Sequence, residues 1–548
     1  MPDARKRRPT RRAAAYLVVI AILLGLGAGV AGAVRSWQDR CEVVDRYALA
    51  VAPGIADAVT DVLARADTGC TSFTVSVAEP GDVTGLLGTG EGAPDLWIPD
   101  SGSWATRASA IASGPVQTIL TPIATTPAVL VARVGEVPEV ATWRAALALP
   151  NLRPGNPLRT GIAASAIRAA LAETEDDAVA IGTVRTAMAP LAQRESDRVD
   201  EPPAGSVLFD LIASDGGVGV GTEQQLQEYI ASHAPETAAP ETAAPGTVAL
   251  EAVVPDNGSI LLDYSLVVTS PEPERHRAAT AAARVLADVF ATQWARDVFV
   301  EHGFRDPAGH ALPDGAGLGE ITTMTLTDES IAQESLRAWA VLALPIRTLV
   351  AVDVSASMNT SVGGSTLLQL TEQAARSGTA MFPGSVQAGL WVFADDLGEN
   401  GQDHREVLPI RRLDATVGGH TQRELMNSLS TAVGSTAGDR SAVSDTTLAA
   451  FRQMQATYDP RAINSVIVLT DGEDDEPDGI SEEDLIATLE REQNPARPVI
   501  VVTVGITADA DAEALAAISH ATGGTSYIAQ EPGDISAIFV SALADRAG

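Results

Sequence analysis

The chain has 548 residues, a formal net charge of −34 and two cysteines. That length is more than one hydrophobic core serves and predicts roughly two to four domains. The charge excludes nucleic acid as a partner, since a phosphate backbone needs clustered Lys and Arg.

Residues 1–12 carry Arg5, Lys6, Arg7, Arg8, Arg11 and Arg12, and residues 13–34 carry no charge. The uncharged run is about 22 residues, enough to cross roughly 30 Å of hydrocarbon as a helix. Basic flanks stay in the cytoplasm, so the expected layout is a cytoplasmic tail over 1–12, one transmembrane helix or signal anchor over 13–34, and the remainder outside the cell membrane. Ala31-Gly32-Ala33 also meets the small-x-small cleavage rule. Secretion after cleavage near Ala33 is therefore the alternative.

Beyond the anchor, residues 42–51 predict a strand, 55–66 a helix and 72–77 a second strand. Cys41 opens the first strand and Cys70 immediately precedes the second. In a strand-helix-strand crossover the two starting ends lie side by side, which predicts a Cys41–Cys70 disulfide in an exported protein. Asp95-Leu96-Trp97-Ile98-Pro99 reads as a strand running into Asp100-Ser101-Gly102-Ser103, a polar helix start. Further strands are expected at 126–132, 248–254 and 261–269, with a glycine-rich turn or short strand at 217–221. Helices are expected at 143–149, 162–172 and 178–191, and a long one over 276–301 stops before Gly303.

Together with Pro255-Asp256-Asn257-Gly258, Leu262-Asp263-Tyr264 and Gly303-Phe304-Arg305, this layout resembles a bacterial extracellular solute-binding protein over about 41–310. The resemblance implies a two-lobed, periplasmic-binding-protein-like α/β domain. The strands at Thr126 and Leu261 would cross between lobes, and the loop Asp100 to Ser103 would face the cleft. Helix starts at Ser101-Gly102-Ser103 and near Thr160-Gly161 offer N–H groups to an anionic ligand, against ordinary capping. Residues 233–247 hold a duplicated Pro-Glu-Thr-Ala-Ala piece and are expected to be a mobile insertion. Residues 311–345 read as a linker whose apolar end packs on a neighbouring domain.

The apolar run Leu349-Val350-Ala351-Val352 stops at Asp353, followed by Ser355 and Ser357. It predicts a buried strand opening into a ligand loop, with helical periodicity behind it at Leu367, Leu368, Leu370 and Ala374. Hard oxygen ligands without Cys or His suit Mg²⁺, with Mn²⁺ or Ca²⁺ as alternatives. A second apolar strand ends in Thr470-Asp471-Gly472, so Asp471 would stand beside Asp353 at the carboxyl edge where open α/β sheets bind ligands. Between them, Gly438-Asp439-Arg440-Ser441 leads into a helix carrying Thr446.

From about 346 to 546 these pieces resemble a von Willebrand factor A domain with a metal-ion-dependent adhesion site. The resemblance implies a Rossmann-like doubly wound sheet. It implies an ion bound directly by Ser355 and Ser357, with Asp353 and Asp471 acting partly through water. Ser441, favoured by its spacing to Leu448, supplies a further hydroxyl, with Thr446 as the fallback. An open ion position implies a protein partner presenting Asp or Glu. The acidic run from Glu473 to Asp478 reads as a solvated loop, and Ser481 with Asp484 as a helix cap.

No G-x-S-x-G elbow, Walker loop or H-E-x-x-H motif occurs, and the seven histidines are scattered. The expected function is non-enzymatic: a membrane-anchored extracellular binding protein with metal-dependent protein binding and small-solute binding in its first module. The alternatives are a tethered substrate receptor for an import transporter and, third, a chelatase or ATPase-partner subunit.

Overall fold

The computed structural model describes residues 44–529 apart from 175–176, 197–203, 234–248, 363, 400, 433–437, 472–478 and 507–509. The expected membrane span at 13–34, Cys41, nearly all of the 233–247 insertion and the whole acidic run from Glu473 to Asp478 lie outside the described residues. Among the described residues no helix is long and apolar enough to cross a membrane.

The first part of the chain contributes β1 (Asp45–Val51), β2 (Thr71–Val77), β3 (Leu96–Ile98), β4 (Gln117–Leu120), β5 (Thr125–Arg133), β6 (Leu152–Arg153), β7 (Val218–Thr222), β8 (Leu250–Val253), β9 (Ser259–Asp263), β10 (Leu266–Val268) and β11 (Thr323–Met324). They form one sheet of order β2-β1-β3-β10-β4 and another of order β11-β9-β5-β7-β6, with β8 also on β5. The chain divides into a unit of Met1–Thr126 with Asp263–Leu312 and a unit of Pro127–Leu262 with Pro313–Gly548. The first two divisions fall within β5 and at the end of β9, the strands expected to cross between lobes.

In the first unit, β1 and β2 run parallel with Asp45 opposite Thr71, and the helix Ala56–Arg65 between them buries Ala58, Val59 and Val62. The Asp45 N–H donates to the Cys70 carbonyl at 3.0 Å, and Cys70 is not a free thiol. Two expectations need correction here. The single helix over 276–301 is two helices, Pro273–Phe290 and Gln293–Glu301, because Thr292 accepts the Ala295 N–H on its hydroxyl and caps a new start. The strand over 261–269 is likewise broken. Tyr264 exchanges its backbone bonds with Ile123 and Ala124, so β9 ends before it and β10 begins after it.

In the second unit, the segment read as a linker forms β11, paired with β9, and the helix Glu329–Leu342. This bridging helix buries Ala332, Leu336, Trp339 and Leu342 in an apolar cluster. The cluster runs without interruption from Leu130 and Ile167 to Ile346 and Val350. Glu329 takes a two-pronged bond from Arg168 at 2.7 and 2.5 Å, and Glu334 one from Arg185 at 2.7 Å. Gln193 donates to the carbonyls of Leu342 and Leu344 at the helix end.

Beyond this helix come β12 (Ile346–Asp353), the hairpin β13 (Ser361–Val362) and β14 (Ser365–Thr366), β15 (Gln387–Phe393), β16 (His404–Arg412), the hairpin β17 (Thr416–Val417) and β18 (His420–Thr421), β19 (Ile463–Thr470), β20 (Val499–Ile506) and β21 (Ser526–Ala529). The main sheet has the order β16-β15-β12-β19-β20-β21, parallel except for β16 at its edge. Alternation along β12 explains the layers. Leu349 and Ala351 pack with Val443, Phe451 and Leu485 on one face, while Val350 and Val352 pack with Leu367 and Leu368 on the other. Covering on both faces is why the strand reads as one apolar run. The chain winds outward in both directions from β12, and the switch point lies between β12 and β19.

Candidate metal centre

Both expected carboxylates emerge at that switch point. In the β12–β19 pairing Val352 is opposite Leu469, which puts Thr470 level with Asp353 and Asp471 one residue beyond. Asp353 is fully buried. Its Oδ1 accepts the Ser355 N–H at 2.9 Å, and its Oδ2 accepts the hydroxyls of Ser441 at 2.6 Å and Thr470 at 2.7 Å. Ser355 Oγ and Ser357 Oγ are 3.0 Å apart. Asp353, Ser355, Ser357 and Ser441 thus converge on one spot, and Asp471 stands at the same edge.

The loop carrying Ser441 reaches this spot by a close backbone approach. A Cβ on Gly438 would lie 2.4 Å from the Ala394 Cβ, so only glycine fits there. The Asp395 N–H then bonds the Arg440 carbonyl at 3.0 Å, and the Arg440 guanidinium faces Asp395 at 3.8 Å. The cation next to Ser441 is thereby matched by a carboxylate. Thr446, the alternative hydroxyl, is fully buried on the helix Val443–Ala456 with no hydrogen-bond partner among the described residues. It is Ser441 that touches Asp353.

Burial pushes the Asp353 carboxyl up to about 6, while hydrogen bonds from Ser355, Ser441 and Thr470 act in the opposite direction. Asp471 is 8% exposed, and its Oδ1 has no hydrogen-bond partner among the described residues. A buried carboxylate oxygen without a donor costs about 1–3 kcal/mol or more, a penalty that a bound cation offsets. Two adjacent hydroxyls, two buried carboxylates and no nitrogen or sulfur ligand fit a small hard cation. Thr470 was not singled out from the sequence, although it belongs to the Thr-Asp-Gly that marks the strand end. Its role depends on the register between β12 and β19.

In the first unit, the loop Asp100 to Ser103 is tied down by this chain's own carboxylate. The Gly102 N–H donates to Asp263 Oδ1 at 2.9 Å, and the Ser101 and Thr121 hydroxyls reach the two oxygens of Asp263 at 3.5 and 3.4 Å. Asp263 thus takes the Gly102 N–H that the less favoured reading offered to an anionic ligand. At the other helix start, the Thr160 side chain accepts the Ala163 N–H at 3.0 Å, which is ordinary capping.

Residues 48–305 match the family model of bacterial extracellular solute-binding proteins. This match supports a solute-binding role for that part of the chain. An uncharacterised protein of Mycobacterium tuberculosis, in strains CDC 1551 and H37Rv, is 25% identical, over 88% of this chain and 74% of the relative. Among solved structures, the sulfate-binding protein from Mycobacterium tuberculosis H37Rv is 17% identical, covering 48% of this chain and 87% of its own, with a TM-score of 0.35. A von Willebrand factor type A structure from Catenulispora acidiphila is 18% identical over 38% of this chain, with a TM-score of 0.29. The present chain spans 43% of that protein's length.

Proposed function

We propose that the chain is a membrane-anchored binding protein on the outer face of a bacterial cell, in which a solute-binding module is fused to a domain that binds a protein partner through Mg²⁺. The observation that carries the metal half is the convergence of Asp353, Ser355, Ser357 and Ser441 beside Asp471 at a sheet switch point. An ion held there would meet the neutral hydroxyls of Ser355, Ser357 and Ser441 together with the carboxylates of Asp353 and Asp471. A partner's Asp or Glu would complete it, since the cation bridges two acidic surfaces that otherwise repel. Calorimetric titration of the full chain with Mg²⁺ and Mn²⁺ tests this. The unsubstituted protein should bind and Asp353→Ala should not. Equal affinity in both, or no binding by either in the presence of a carboxylate partner mimic, sinks the reading.

The match over 48–305 favours a second reading, a tethered substrate receptor for an import transporter, with the C-terminal domain as a docking accessory. It requires that a small solute raise the melting temperature of the purified chain in the absence of divalent metal. Membrane anchoring through 13–34 and the outside location rest on the charge pattern of the first 34 residues. Protease added to intact, wall-stripped cells should then degrade both units, and survival of the C-terminal domain would refute the orientation. A Cys41–Cys70 bridge belongs to the same exported reading, because Cys70 stands at the amino end of β2, beside that of β1. Closing a loop of about 30 residues stabilises a fold by roughly 3–4 kcal/mol in the chain-entropy model. Two titratable thiols in unreduced, denatured protein would rule the bridge out.

A further inference from the structure

In the first unit, the loop Asp100 to Ser103 and its neighbours form a cradle of hydrogen-bond donors, and the group seated in it belongs to the same chain. Asp263 arrives from 161 residues further along, and its Oδ1 accepts the Gly102 N–H at 2.9 Å. That N–H heads the helix Ser103–Ile111, whose positive end favours an anion. On the other side, the Thr121 hydroxyl stands 3.4 Å from Oδ2. Thr121 accepts the hydroxyl of the fully buried Ser265 at 2.8 Å, which leaves its own proton for the carboxylate. The Ser101 hydroxyl adds a longer contact to Oδ1 at 3.5 Å. Gly102 is what admits the carboxylate, because a Cβ there would lie 2.5 Å from Asp263 Oδ2 and 3.2 Å from Ser265 Oγ.

We propose that Asp263 sets the charge preference of the solute-binding module: its tethered carboxylate occupies the donors of this cradle and so keeps oxyanion solutes out. This inference deepens the solute-binding reading above by naming a class of solute that the module rejects. A carboxylate positioned by its own backbone loses no translational freedom on binding, whereas an anion from solution does. Nor can the two share the loop. Sulfate carries no proton at neutral pH to donate to Asp263, and like charges in contact repel. Asp263 thus excludes the anion by occupancy, and its charge adds to the effect.

The test is calorimetric titration of the full chain with sodium sulfate, in chelator and with chloride holding the ionic strength constant, for the unsubstituted protein, Asp263→Ala and Asp263→Asn. One hydrogen bond to a charged group corresponds to roughly a tenfold change in binding, so Asp263→Ala should bind sulfate at least about tenfold more tightly than the unsubstituted protein. Asp263→Asn keeps a side-chain oxygen for the Gly102 N–H and should bind sulfate more weakly than Asp263→Ala. Equal binding by these two variants would assign the exclusion to charge alone and overturn the inference. So would equal binding by the unsubstituted protein and Asp263→Ala, or binding by neither. Melting curves without sulfate establish that each variant is folded, and Asp263→Ser replaces Asp263→Ala if the latter is not. A gain of sulfate binding in Asp263→Ala, with no solute that stabilises the unsubstituted chain, would sink the solute-binding reading and leave the occupancy by Asp263 standing.

Discussion

Burial lifts the Asp353 carboxyl from its ordinary 3.8 to about 6 against the pull of its hydrogen-bond donors. A folded state that holds a proton more tightly than the unfolded chain gains stability at low pH. For this group that gain is complete below about 3.8 and is lost as pH rises through about 6. The difference corresponds to about 3 kcal/mol. In chelator, urea unfolding of Asp353→Asn should therefore lack the part of the pH dependence between 4 and 6 that the unsubstituted protein shows. Parallel curves for the two proteins would contradict the assigned burial. Asp95 has the opposite sign. Its burial raises the carboxyl, but bonds from Arg275, the Ala48 N–H and Ser270 outweigh this and hold it below the ordinary range. Its contribution is present above the ordinary carboxylate pKa and is lost as pH falls through the lowered value. Much of the candidate site's layout was legible residue by residue, because Asp353, Ser355, Ser357 and Asp471 lie where apolar runs break. Ser441 was favoured over Thr446 by its spacing to Leu448, yet the choice stayed open, since both are hydroxyls near one helix start. The choice depends on how closely Gly438 lets its loop approach Ala394.

At the scale of elements, the sequence marks buried strands well and boundaries set by competing local bonds poorly. Strands β12 and β19 were plain from their β-branched runs. The break at Thr292 was hidden because apolar residues recur at helical spacing on both sides of it, from Leu286, Val289 and Phe290 to Ala295, Val298 and Phe299, and only the cap on Ala295 marks it. The bridging helix was missed for a related reason. Its polar face, with Glu329 and Glu334, suits a solvated linker until Arg168 and Arg185 are placed opposite. Trp339 is 1% exposed within this helix, so Trp339→Ala should cost about 3–5 kcal/mol by urea unfolding. Arg168→Ala removes a charge-assisted pair from Glu329 and should cost about 1–3 kcal/mol. A loss below about 0.5 kcal/mol at both positions would show that the helix is not a structural joint.

For the molecule as a whole, one apolar cluster continues from the 127–262 part of the second unit into the C-terminal domain. Residues 127–262 and 313–529 should therefore unfold together. An ion bound at Asp353 then stabilises helices that never touch it. Hydrogen exchange of the helix Gly161–Ala172 should slow when Mg²⁺ is added. Unchanged exchange there, alongside measurable ion binding, would mean that the two parts open independently.

The bridging helix also decides where mechanical load goes. A partner held at the proposed metal edge would pull on the carboxyl end of β12, a central strand bonded to β15 on one side and β19 on the other. Its amino end runs through Pro345 directly into the helix that Gln193, Arg168 and Arg185 fasten to the 127–262 part of the unit. Tension is thus delivered to packed helices and not to a slack connector. In single-molecule stretching between a ligand held at the ion and the far end of the second unit, the first rupture should come at a force lowered by Arg168→Ala, which a compliant tether would not register.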